Sequence, residues 1–128
     1  MIQKLFLLAG SIYAGLGVAI GAFGAHKLKP FLIQTGRLDS FETGVKYQFY
    51  HSFALLILGL LISLPQLNTK YLGYAGYCFI AGTFIFSTSI YILCLTETPK
   101  WGAVTPIGGL FMIAGWILLC LAVLKGNW

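Results

Sequence analysis

Charge is what this sequence has least of. Only 9% of its 128 residues are Asp, Glu, Lys or Arg, against about 25% in a soluble domain. Just three are acidic, Asp39, Glu42 and Glu97, and all of them fall between the apolar runs. No carboxylate is therefore available in the middle of a run to relay protons or bind a coupling ion, which tells against a transporter. Cysteine is sparse as well. Cys78, Cys94 and Cys120 are odd in number and lack the short spacings of metal ligands, so they read as small buried hydrophobes rather than a zinc site or a disulfide framework. There is no P-loop, no H-E-x-x-H and no G-x-S-x-G. The only histidines are His26 and His51, and two histidines meet only part of what a bis-histidine haem site needs. No catalytic residue, metal or cofactor is expected, and the chain reads as a non-enzyme.

What is present is apolar surface. The chain is 59% hydrophobic with a mean hydropathy of +0.89, so it cannot cover itself with polar groups. In lipid it need not, because there only the backbone must be satisfied internally. The net charge of +5 does not make a nucleic-acid binder. Lys4, Lys27, Lys29, Lys46, Lys70, Lys100 and Lys125 stand singly near the ends of apolar runs rather than in a stripe that could track phosphates. That placement suits positive-inside topology and anionic lipid headgroups.

Four runs have the length to cross about 30 Å of hydrocarbon: 5–25, 47–64, 71–95 and 105–124. They are too long and too evenly apolar for β-barrel strands. The first is also longer than the apolar core of a signal peptide. The expected fold is all-α, an integral membrane four-helix bundle forming a single domain over 1–128. Pro65 closes the second run, and Thr105 with Pro106 looks like an N-cap and first helical residue. The link 26–46 carries Lys27, Lys29, Arg37 and Lys46. Within it Pro30-Phe31-Leu32-Ile33, followed by Gly36, predicts a short amphipathic segment lying in the interface. Asp39 and Glu42 resemble a capping box, which starts the second helix near Ser40. Five basic residues on the side of the first and third links, against three on the other, favour both termini outside the cytoplasm.

Small residues run along the first span as Gly10, Ala14, Gly17, Gly21 and Ala25, and Gly108 and Gly115 make a similar groove in the fourth. Such stripes let helix backbones approach closely in lipid, either within one bundle or between subunits. A polar group of His26, Glu42, Lys46, Tyr47, Gln48 and His51 is expected to gather where the first helix ends and the second begins. Two readings compete for it. Either the group fastens helices by hydrogen bonds, or it forms a site for a headgroup, a quinone or a proton. The second reading requires His26 and His51 to lie within about 15 Å, the reach of one small ligand. Lys27, Lys29 and Arg37 are the candidate headgroup-binding residues. Ser87, Thr88, Ser89 and Tyr91 interrupt the third span and are expected to bond across helices or to the preceding turn. Trp116 lies deeper than an interfacial belt and is expected to pack between helices.

Four ordered motifs carry a family resemblance over nearly the whole chain. They are Gly21-Ala22-Phe23-Gly24-Ala25-His26; Phe41-Glu42-Thr43-Gly44-Val45-Lys46-Tyr47-Gln48 with His51; Phe86-Ser87 with Ser89 and Tyr91; and Thr105-Pro106-Ile107-Gly108-Gly109-Leu110 with Gly115-Trp116. Together they resemble the domain of unknown function 423 family, small bacterial inner-membrane proteins related to the eukaryotic transmembrane protein 256 group. The resemblance implies four spans in the bacterial cytoplasmic membrane and brings no activity. Thr88 stands where the family usually has glycine, which implies looser packing there. From the residues alone, the leading function is a non-enzymatic helix-packing or assembly partner, for itself or for a larger membrane complex. The alternative is a binder or carrier of a lipid, quinone or other amphiphile. Membrane lipids are expected partners, and nucleic acid is not.

Overall fold

The computed structural model describes residues 1–128, and it is helical with no strand. Its helices are α1 (Ile2–Ala25), α2 (Lys29–Gln34), α3 (Leu38–Leu61), α4 (Thr69–Thr96) and α5 (Thr105–Leu124), with a 3-10 turn at Pro99–Ala103 leading into α5. Three stretches are long and apolar enough to cross a membrane: α1, α4 and Pro99–Leu124. α3 is not among them. Its 24 residues supply the length, but Glu42, Lys46, Gln48 and His51 in its first half lower its hydropathy.

Helix caps differ from the sequence expectation in two places. α3 begins at Leu38, and its N-cap, Arg37, makes no side-chain cap bond. Asp39 therefore lies inside the first turn, where its charge complements the helix dipole, and no reciprocal capping box forms. In α5 Thr105 is the first helical residue rather than the cap. The 3-10 turn runs directly into the helix, and the Thr105 hydroxyl turns back to the Trp101 carbonyl at 3.3 Å. α4, by contrast, has a side-chain cap, with Asn68 Oδ1 accepting from the Tyr71 N–H at 3.4 Å.

The four long helices pack in a row, α1 on α3, α3 on α4 and α4 on α5, and α1 and α5 are not packed on each other. The row is folded enough for α1 to reach α4, through Phe6 against Gly76 and Tyr13 against Ile80, and for α5 to reach α3, through Trp116 against His51. The main core lies at one end and through the middle, with Phe6, Leu55, Leu58, Leu72 and Phe79 buried. A smaller core of Leu32, Phe41, Ile90 and Cys94 closes the other end, where α2 inserts Leu32.

The glycine grooves are filled by the chain itself. Gly17 faces the Phe49 ring, Gly21 faces Val45 and Gly24 faces Phe41, all on α3. In α5, Gly108 lies on the Phe86 backbone and the Gly82 carbonyl of α4, and Gly115 lies on the Phe79 ring. Among the cysteines Cys94 is buried, Cys78 half-buried and Cys120 exposed, so Cys120 departs from the buried role expected of all three.

Candidate functional site

The α1–α3 pairing sets the depth of every polar group on α3. Gly24 meets Phe41 and Gly17 meets Phe49, while Gly10 meets Leu56 and Gly59 meets Leu7, so the two helices run antiparallel along their whole lengths. Because α3 lies along α1 from Phe41 onward, Gln48 and His51 sit near the middle of the pair rather than at a mouth. The Gln48 amide donates to the Tyr13 carbonyl at 2.8 Å, which places it level with the centre of α1. His51 lies further along still, so at least thirteen residues of α1, about 20 Å at 1.5 Å per residue, separate its level from His26. The predicted polar group is therefore divided, and the two histidines do not share a site.

At the α1–α2 end, His26 is exposed and its N–H bonds the Ala22 carbonyl at 3.1 Å. Lys27 and Lys29 are exposed and Arg37 is half-buried. Glu42 and Lys46 line a cavity of about 150 Å³ whose other walls are Gly21, Gly24, Ala25, Phe41 and Val45. His26 lies on the other side of α1, in a shallow depression with Ala19, Phe23 and Lys27.

In the middle, α3 turns one polar residue to each side of α4. Toward α5 it presents His51, which is 4% exposed. Its Nδ1 is 2.8 Å from the Tyr47 carbonyl and its Nε2 is 3.1 Å from the Trp116 indole nitrogen. A carbonyl only accepts and an indole N–H only donates, so these partners assign the proton to Nδ1. Phe79 closes the cluster, with its ring centroid 5.4 Å from His51 and 4.9 Å from Trp116. Tyr47 flanks the same side, 4.9 Å from Phe86.

Toward α1, α3 presents Gln48, which is also 4% exposed. Besides donating to Tyr13, it accepts from the Tyr91 hydroxyl through Oε1 at 2.7 Å. Tyr13 in turn donates its hydroxyl to the Ile80 carbonyl at 2.9 Å, and Ser87 donates to the Gly44 carbonyl at 2.8 Å. These bonds tie α1, α3 and α4 together at mid-length, the cross-helix role expected of Ser87 and Tyr91. Ser89 bonds the Phe86 carbonyl and Thr105. Between α1 and α4 a crevice of about 120 Å³ remains, lined in part by Tyr13, Gln48, Ser87, Tyr91 and Thr88. Thr83 also lines it and is 1% exposed; its Oγ1 is the one buried side-chain polar atom with no hydrogen-bond partner. Sequence reasoning passed over both Thr83 and Tyr13. A helical threonine ordinarily bonds the carbonyl one turn back, so nothing local marks Thr83 as different.

Chemically, no group of three or more His, Cys, Asp or Glu side chains is placed to hold a metal ion. No nucleophile stands beside a base in either mid-length cluster. Long apolar helices with polar side chains turned inward define the class as an all-helical membrane protein with transmembrane helices. Within that class the chain belongs to the family described as protein of unknown function DUF423, whose model matches residues 20–109. It is 42% identical to a UPF0382 membrane protein of Staphylococcus aureus (strain bovine RF122 / ET3-1), over 96% of this chain and 98% of that protein. It is 39% identical to a UPF0382 membrane protein of Staphylococcus haemolyticus (strain JCSC1435), with the same coverage. No solved structure matches the chain.

Proposed function

We propose that the protein crosses the bacterial cytoplasmic membrane four times and acts without catalysis, as a binder of an anionic amphiphile at the α1–α2 end. In this reading α3 is the fourth crossing, because it lies along α1 from Gly24 to Leu7, and a helix paired over the full length of a spanning helix spans with it. Its polar residues Gln48, His51 and Ser52 are buried against neighbouring helices, which removes the cost they would have in lipid.

The observation that carries the binding role is the cavity walled by Gly21, Gly24, Phe41 and Val45, with Lys46 and Glu42 lining it. It lies at the same end of the molecule as the exposed Lys29 and, across α1, Lys27. An acyl chain fits the apolar wall. The lysines, joined by Arg37, neutralise a phosphate-bearing headgroup, and α2 lies in the headgroup plane. The Glu42 carboxylate selects for headgroups that also carry a cationic or hydroxyl group. The assembly-partner reading drew on the glycine stripes, and Gly17, Gly108 and Gly115 are covered within the chain, while Gly21 touches Val45 and walls the cavity.

Native mass spectrometry of the detergent-extracted protein tests this reading. Anionic phospholipid should be retained, and replacing Lys27, Lys29 and Arg37 together by Gln should remove it. A wild-type protein stripped of lipid under mild conditions, or a triple variant that retains as much, would refute it. A reporter fused to the C-terminus should be active only outside the cytoplasm.

A further inference from the structure

We propose that the crevice between α1 and α4 is a second, separate binding site, for a neutral ring compound dissolved in the membrane core that presents a carbonyl oxygen to the Thr83 hydroxyl. Thr83 is 1% exposed and its Oγ1 has no partner, although leaving a buried hydroxyl unpaired is costly. The neighbouring polar side chains are engaged: Gln48 with Tyr13 and Tyr91, Tyr13 with Ile80, and Ser87 with Gly44. Thr83 is thus the fully buried hydroxyl left open for an incoming acceptor, beside the half-buried Thr88 on the same lining.

Charge, depth and size narrow the ligand. No acid, lysine, arginine or histidine lines the crevice, so an ionic ligand would arrive without a counter-charge, at large cost in the bilayer interior. Thr83 lies thirteen residues from the end of α4 at Thr96, about 20 Å along the helix. Phospholipid ester carbonyls lie outside the hydrocarbon layer, about 15 Å from its centre, and do not reach this depth. The remaining source of a carbonyl is a molecule that partitions into the core itself, with a quinone-type ring as the fitting form. The volume of about 120 Å³ suits a single ring, since benzene occupies an engineered cavity of about 150 Å³. At the mouth stand the exposed side chains of Leu16 and Phe84, so entry is sideways from lipid.

The test is equilibrium binding of a decyl-substituted benzoquinone to the full-length protein in nanodiscs, with decylbenzene as the carbonyl-free control. Wild type should bind the quinone saturably, and decylbenzene should not compete. Thr83→Val, which replaces the hydroxyl by a methyl of similar size, should weaken binding by about tenfold, the equivalent of one neutral hydrogen bond. Thr83→Ser should retain binding. Leu16→Trp, placed at the exposed rim and away from the core, should block it. The Lys27, Lys29 and Arg37 triple variant should bind the quinone like wild type, which separates this site from the headgroup site. Equal binding by wild type and Thr83→Val, or partitioning without saturation in wild type, would overturn the proposal.

Discussion

The two sides of α4 at mid-length are built from similar parts and end in different states. On the α5 side, His51 has a partner at each ring nitrogen, and Phe79 and Trp116 close around it. On the α1 side, Gln48 is equally buried and equally bonded, yet a crevice remains and Thr83 within it is unpartnered. A buried imidazole is the more conspicuous functional group, and here it is a completed structural joint. The marker of a site is the polar atom left over once every donor and acceptor has been counted, because burying such an atom is unfavourable unless something comes to meet it.

The sharpest way to break this contrast is to open the closed side. Gly108→Val puts a side chain against the Phe86 backbone and the Gly82 carbonyl, which cannot swing aside as a side-chain end can. Separating α5 from α4 should cost about 3 kcal/mol, read as a lower midpoint in denaturant unfolding of the detergent-solubilised protein. An unchanged midpoint would mean that α4 and α5 do not cross so closely. On the open side the expected sign is reversed. Thr83→Val should raise the stability of the ligand-free protein by about 1 kcal/mol by removing an unpaired buried hydroxyl, and a loss of stability would show that the hydroxyl already has a partner. The smallest effect belongs to Trp116→Phe, which removes one bond to His51 and keeps an aromatic ring. Interhelical bonds in membranes average about 0.6 kcal/mol, so the same unfolding measurement should fall by about that much, and a rise would show the joint to be strained rather than complete.

The misplacement of the polar group has a specific cause. In the sequence the apolar run of the second span begins at Tyr47, which makes Gln48 and His51 look like residues at a membrane mouth. α3 begins at Leu38, close to the expected start near Ser40, but its first turns lie along α1, with Phe41 against Gly24. Gln48 and His51 tolerate that position because α1, α4 and α5 cover them, while Asp39, Glu42 and Lys46 nearer the start of α3 stay exposed. A hydropathy profile assigns each residue to lipid or water and has no third category for a neighbouring helix. Ser87, Tyr91 and Trp116 were legible as cross-helix contacts because polar or large aromatic residues deep in a span have few other uses.

Composition and run length by themselves determined that this is a helical membrane protein, since the balance between lipid and water is a sum over local residues. Four ordered motifs determined the family. Only the tertiary structure decided which glycines were already filled, that His26 and His51 stand far apart, and that His51 is satisfied while Thr83 is not. Those outcomes depend on the register between helices. Whether a donor meets an acceptor is settled by residues such as Gln48 and Tyr13, 35 positions apart in the chain, and no local pattern encodes that distance.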